Sequence, residues 1–353
     1  MGRFLQLHII TSYPPSNLNR DDSGRPKTAK MGGTDRLRVS SQSLKRSWRV
    51  SDLFQSAMAG HLGVRTKMLG VGVYEKLIAN DIAEKKAKAW AQAIAGQFGK
   101  LKKTHKDNPL EDLEIEQLVH VSRAEQSAID GLTDLLLSEQ RAPESKELNL
   151  LRQEEMAVDI ALFGRMLASS PNFNVEAACQ VAHAISVHPV TIEDDYFTAV
   201  DDLNAGSEDS GAGHIGEAGF AAGLFYSYIC INKEQLVDNL GGNKELADNA
   251  IAALTEAALK SSPTGKQNSF GSRAYASYAL AEMGDQQPRS LSVAFLKPVP
   301  KYAEDYADEA IKALEQQRHN FDKVYGACAD ARHSFNALTG DGSLQELLAF
   351  VSQ

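Results

Sequence analysis

Residues 32–49 read Gly32-Gly33-Thr34-Asp35-Arg36-Leu37-Arg38-Val39-Ser40-Ser41-Gln42-Ser43-Leu44-Lys45-Arg46-Ser47-Trp48-Arg49, and the organisation of the chain follows from them. Arg36 to Val39 alternates as a strand does, which puts both guanidiniums on one face and Leu37 and Val39 toward a core. The serines that follow are helix N-cap candidates. Leu44, Trp48 and an apolar residue near Val50–Leu53 supply the buried face of that helix. Its first N–H groups, its hydroxyls and its dipole suit an anion. Lys45 and Arg49 stand i,i+4 with Arg46 beside them. Donors at several spacings fit a run of phosphates better than a single one. A solvated basic face with ordinary caps would use the same residue types, but here glycines, hydroxyls and bases converge in an otherwise acidic chain.

The charge is unevenly spread. The 353 residues carry a net charge of -9. Residues 1–50 hold ten basic and three acidic side chains, a net of +7, and the rest holds 27 basic and 43 acidic, a net of −16. A basic block on an acidic body is a signal for polyanion binding. Hydrophobic residues make up 43% and charged residues 24%, the balance of a globular protein with a real core. No apolar run is long enough to span a membrane, and the N-terminus does not read as a signal peptide. Cys179, Cys230 and Cys328 are odd in number and far apart, which excludes a disulfide framework and a four-cysteine zinc site. A cytoplasmic location is expected, with no metal or cofactor.

Outward from the decisive stretch, Arg3–Ile10 reads as a buried strand and Thr11–Gly33 as a long loop with Pro14-Pro15, Asn17, Asn19, Asp21-Asp22, Gly24 and Pro26. A loop of about 20 residues in a compact domain is usually functional or disordered. This one carries Asn19, Arg20, Arg25, Lys27 and Lys30, and it could fold over the same ligand. Asp21-Asp22 reads as a turn-stabilising pair. Lys76–Lys103, Leu110–Ser138 and Ser145–Ala168 have helical periodicity and almost no strand signal. A further helix is expected over Val175–Val187, and extended chain over Thr191–Asp202. Strand patterns follow at Gly223–Asn232, Ala274–Glu282 and Leu291–Lys297. Helices are expected at Lys244–Leu259, Tyr302–Tyr325 and Leu344–Val351. The sum is an α+β fold split by an all-helical insertion.

Other motifs carry less. Gly211-Ala212-Gly213-His214-Ile215-Gly216 matches a dinucleotide fingerprint, but an acidic loop precedes it and a strand pattern follows, the reverse of the required context. Cys179 and His183 share a face of the expected helix and read as core rather than metal ligands. Tyr196-Phe197-Thr198 lies between the acidic pairs Asp194-Asp195 and Asp201-Asp202. By pattern alone it is a strand with one ring in the core, whereas on a hairpin two rings could wedge between bases.

Asn17-Leu18-Asn19-Arg20-Asp21-Asp22, Gly32-Gly33 and Arg36–Arg46 resemble one family closely: CasC, the repeated backbone subunit of the type I-E Cascade complex of CRISPR immunity, in the RAMP superfamily. The likeness continues through Val158–Met166, Ala182-His183-Ala184-Ile185, Phe197–Leu203 and Gly223–Tyr226, in order, to about residue 270. It implies a modified RNA-recognition-motif (ferredoxin-like) palm over 1–59 and 170–353, an inserted helical fingers domain over 60–169, and a β-hairpin thumb near 190–222. It also implies palm contacts to RNA from Arg20, Lys27, Ser40, Gln42, Ser43, Lys45, Arg46 and Arg49. Met166 would pack on bases, and Tyr196, Phe197 and Thr198 would be the thumb's contribution, with Tyr196 where the family more often has tryptophan. Gln140–Lys146 carries few lysines, so DNA contacts by the fingers are not carried over.

The resemblance implies a non-catalytic subunit that binds guide crRNA, assembles head to tail with further copies and other Cascade subunits, and meets target DNA through the RNA. A guide-RNA-processing endoribonuclease on the same fold would need a general acid or base, and the basic segment offers only His8. A metabolic protein holding one phosphorylated ligand at the Ser-Ser-Gln-Ser helix start is the remaining alternative.

Overall fold

The computed structural model describes residues 2–154, 156–199, 214–300 and 302–353. The tip of the expected thumb hairpin, with Asp201-Asp202 and Gly211–Gly213, lies outside the described residues. The strands are Phe4–Ser16 (β1), Thr28–Met31 (β2), Thr34–Val39 (β3), Val64–Thr66 (β4), Val119–Val121 (β5), Cys179–Val181 (β6), Ala184–Ser186 (β7), Glu193–Ala199 (β8), His214–Asn232 (β9), Ala276–Gly284 (β10) and Ala331–Asn336 (β11). The helices are Ser41–Arg49 (α1), Asp52–Ala57 (α2), Leu69–Ile78 (α3), Glu84–Ala95 (α4), Arg123–Glu139 (α5), Val158–Phe163 (α6), Lys233–Asn239 (α7), Lys244–Lys260 (α8), Gln267–Phe270 (α9), Tyr306–Tyr325 (α10) and Leu344–Val351 (α11). Among the described residues no helix is long and apolar enough to cross a membrane.

The chain divides into two compact units: Met1–Phe54, Val181–Cys230 and Ile251–Gln353 form one, and Gln55–Gln180 with Ile231–Ala250 the other. The first is built on a sheet ordered β11-β10-β1-β9-β7-β3-β2. The neighbours β1–β10, β10–β11, β2–β3, β3–β7 and β7–β9 all pair antiparallel. Strand β1 is central, and Leu5 to Thr11 are buried on both faces. One face, with Ile10, Leu224, Tyr226, Tyr278 and Leu280, packs against Leu291, Phe295, Ile311 and Leu314. The second unit has its own core, with Leu77, Trp90, Ile94, Phe98, Leu113, Ile129 and Leu136 from α3 to α5. Helix α5 starts with a capping box in which Ser122 and Glu125 satisfy each other's N–H groups.

Several expectations need correction. The Thr11–Gly33 segment is a loop only in its middle, because β1 continues to Ser16 and β2 and β3 form a hairpin. Gly32 and Gly33 make its turn with φ of 59° and 79°, the conformation a tight two-residue hairpin requires. A Cβ on Gly32 would also sit 1.7 Å from the Leu296 carbonyl oxygen. Val175–Val187 is not a helix but carries β6 and β7, since sheet pairing overrides the helical look of its alanines. Ser292–Phe295 is a 3-10 turn rather than a strand. Ser145–Ala168 is mostly irregular, with only the short α6. Arg36 does not face solvent beside Arg38. It is buried, and its guanidinium donates to the Ser186 and Phe295 carbonyls, both at 2.9 Å, and to Thr34 Oγ1 at 2.8 Å. Strand β3 is buried on both faces there, so the two-residue period no longer sorts inside from outside.

Candidate functional site

Helix α1 starts where Ser40 turns extended (φ -68°, ψ 146°) and its Oγ accepts from the Ser43 N–H at 3.3 Å. The Ser40 N–H donates to Asn19 Oδ1 at 2.9 Å, which fixes the preceding loop beside the helix start. The Ser41 N–H donates to His183 Nδ1 at 2.9 Å. Of the first three helical N–H groups, only that of Gln42 is without a partner among the described residues. The anion seat expected at the helix start is therefore largely filled from within, and side chains make the site. Leu44 and Trp48 are buried. They hold α1 on its apolar face and leave Gln42 and Arg46 exposed and Lys45 and Arg49 half-buried.

Arg20, Ser43 and Arg46 line one open, largely polar cleft of about 470 Å³, together with Asn19, Asp21, Asp22, Thr264 and Gly265. The loop side of this cleft is rigidly built. Asp21 Oδ1 accepts from the Ser23 N–H, the Ser23 hydroxyl and the Arg25 N–H at 2.7–3.0 Å. The Ser23 hydroxyl and these N–H groups hold its carboxyl below the usual range, as a turn-stabilising aspartate requires. Buried Asn17 donates from Nδ2 to the Gly24 carbonyl at 2.9 Å and the Gly219 carbonyl at 2.8 Å. It ties the loop to β9, a role that its sequence context did not signal.

Many cations of this protein sit in ion pairs. Lys88 is 2.9 Å from Asp112, Lys102 is 2.8 Å from Glu114, Arg141 is 2.6 Å from Glu147, and Arg332 is 2.6 Å from Glu282. Within residues 1–50, Arg25 pairs with Asp194 at 2.9 Å and Lys30 stands 4.0 Å from Asp35. Among the described residues no carboxylate pairs with Arg20, Lys27, Arg38 or Arg46. Four positive charges are thus left open on a chain with an excess of carboxylates. His183 joins them: partial desolvation, then the charges of Arg38 and Lys27, lower its pKa from the ordinary histidine value. Reading 175–187 as a helix hid this histidine in an expected core.

Strands β8 and β9 form a hairpin in which Tyr196 opposes Glu217, Phe197 opposes Gly216 and Thr198 opposes Ile215. The Phe197 ring lies across Gly216, so close that a Cβ there would be 2.3 Å from Cζ. Tyr196 is 67% and Phe197 43% exposed, and Thr198 is exposed as well. Neither ring is in a core, unlike the reading from pattern alone. The two rings stand on opposite faces of the hairpin, with Tyr196, Thr198 and Asp194 on one. Asp194 is the residue that Arg25 holds, so that face begins at the loop of the cleft.

In the second unit Met166 is 81% exposed between buried neighbours. Arg165 bonds both oxygens of buried Glu125, at 2.9 and 2.7 Å, and the carbonyls of His120 and Phe173. The Leu167 N–H donates to Asn174 Oδ1 at 2.6 Å. A thioether is displayed on a loop whose two sides are fixed.

A chain titled "CRISPR RNA-guided surveillance complex, pre-nicking" superposes with a TM-score of 0.83 at 29% identity, covering 99% of each chain. A second, titled "CRISPR RNA-guided surveillance complex", shares the fold with a TM-score of 0.75 at 24% identity over 99% of each chain. A comparison with curated proteins gives no match. The model of the CT1975-like protein family matches residues 5–348. The chain belongs to that family, and its likeness to the CasC-type backbone of Cascade extends to the whole fold.

Proposed function

We propose that this chain is a non-catalytic, crRNA-binding backbone subunit of a type I-E Cascade-like CRISPR surveillance complex. Copies assemble head to tail along the guide and present it for pairing with target DNA. The observation that carries the reading is the set of open cations, Arg20, Lys27, Arg38 and Arg46, around α1, in a segment of net charge +7 on an otherwise acidic chain. Such a set fits a chain of phosphates and reads no base. The sheet supports a palm related to the RNA-recognition motif. Its order β10-β1-β9-β7, with α1 between β1 and β7 and α8 between β9 and β10 along the chain, is the βαββαβ arrangement. On this reading the second unit, which carries the two-stranded β4–β5 sheet beside its helices and so is not all-helical as expected, is the fingers, and the β8–β9 hairpin is the thumb, with Tyr196 its exposed wedge.

The endoribonuclease alternative gains little. His8 is fully buried between Tyr226 and Glu282, and the Nδ1 of His183 is committed to Ser41. Purified full-length protein is expected to carry RNA, read as a raised ratio of absorbance at 260 to 280 nm, and to bind unrelated RNA sequences equally. It should leave repeat RNA intact. A nucleic-acid-free monomer without RNA affinity would refute the proposal, and cleavage of repeat RNA would refute its non-catalytic part.

A further inference from the structure

Beside the first turn of α1 the fold gathers three donors from separate segments. Pairing of Val39 with Ala184 and of Arg38 with Ile185 brings His183 next to Ser41. The Arg38 N–H donates to the Lys27 carbonyl at 2.8 Å, which fixes the backbones of these two cations side by side. Because a backbone N–H donates to His183 Nδ1, the ring proton is on Nε2. That donor belongs to an exposed side chain and has no partner among the described residues. Apart from a long 3.4 Å contact from Nε to the Thr28 carbonyl, the Arg38 guanidinium is also unengaged there.

We propose that His183, Arg38 and Lys27 form a phosphate seat for RNA, next to the cleft of Arg20 and Arg46, with His183 serving as a neutral donor whose tautomer Ser41 sets. The seat rests on the RNA-binding reading above and adds His183 and Arg38 to it. A neutral imidazole beside two cations adds a directed hydrogen bond to a phosphate oxygen without a third charge, so its loss weakens binding without changing the salt dependence. A proton on Nδ1 would face the Ser41 N–H, and the neighbouring charges of Arg38 and Lys27 oppose it.

The test measures fluorescence anisotropy of a labelled oligouridine RNA against salt for full-length wild-type protein and variants, with urea unfolding as a check on folding. His183→Ala should weaken binding about tenfold with an unchanged salt slope. His183→Gln keeps an acceptor for Ser41 and a donor for phosphate, and should stay within about twofold of wild type. Arg38→Gln should lower the slope by about 0.7, and on that background His183→Ala should cost much less than it does alone. Wild-type-like binding by folded His183→Ala, or fully additive losses in the double variant, would overturn the seat while RNA binding stands. A wild-type chain that binds no RNA would overturn the proposed function and the seat together.

Discussion

Arg46→Gln is the sharpest probe of how the cations around α1 act. Four of them lack a carboxylate partner among the described residues, so each is free to replace a counterion on a nucleic-acid phosphate. At about 0.7 per contact on a single strand, the slope of log affinity against log salt should be about −2.8 per chain. Raising salt from about 50 to 200 mM then weakens binding about 50-fold. Arg46→Gln keeps the helix intact, because Arg46 is exposed and the buried face is Leu44 and Trp48. The slope should fall to about −2.1 and the loss over the same range to about 20-fold. Lys102→Gln is the control, since Lys102 already lies 3.1 Å from Glu111 and 2.8 Å from Glu114. The assay is anisotropy on a short oligouridine that seats one copy. A slope unmoved by the Arg20→Gln/Arg46→Gln double variant, or moved equally by Lys102→Gln, would refute the argument.

Three further outcomes are expected. Arg165→Met should destabilise the helical unit by about 3–5 kcal/mol in urea unfolding, because Glu125, 0% exposed, loses its charge partner. Adding Glu125→Gln should recover part of that loss, and a cost below about 1 kcal/mol would sink the reasoning. Asn17→Ala should cost about 1–3 kcal/mol by leaving the Gly24 and Gly219 carbonyls without their donor, and should speed amide exchange at the base of the hairpin. The thermal midpoint should fall as acid is added, in two stages. Burial lowers the His8 and His188 pKa values below 6.5, so the unfolded chain takes up protons first below that pH. The Glu282 carboxyl lies well below its ordinary 4.5 because His8, Arg289 and Arg332 bond it against the cost of burial, so its stabilisation is lost below about 4.5. A midpoint that is flat from pH 7 to 5 would contradict the first stage.

The sequence was most legible where one physical signal acted alone. The buried-strand pattern of β1, the serine cap of α1 and the spacing of Leu44 and Trp48 each reported a local preference that the fold kept. The exposed residues of the cleft were legible too, because Arg20 and Arg46 have no tertiary duty that hides them. Arg36 was misread because the exterior of β3 is closed by the carbonyls of Ser186 and Phe295, which lie 150 and 259 residues away in sequence. His183 was misread for a related reason: an alanine-rich segment looks helical until neighbouring strands claim its backbone. Asn17 gave no sign, since a side-chain amide that joins a loop to a strand 202 residues on has no local pattern.

The rings of the central strands point to what this sheet does not do. In RNA-recognition motifs, bases stack on exposed aromatics of the sheet surface. Here Tyr226 is buried, with its hydroxyl accepting from the Leu291 N–H and donating to His8 Nδ1, and the Tyr228 hydroxyl donates to Gln6. The segment from Leu291 to Leu314 closes that surface. With that surface closed, a palm related to the RNA-recognition motif would offer a polynucleotide the loops and helix end along its rim. On the proposed function, the guide would be held by its sugar-phosphate side, with Watson–Crick edges turned outward. The grip would then be blind to the message it carries, and one protein could serve every spacer in an array.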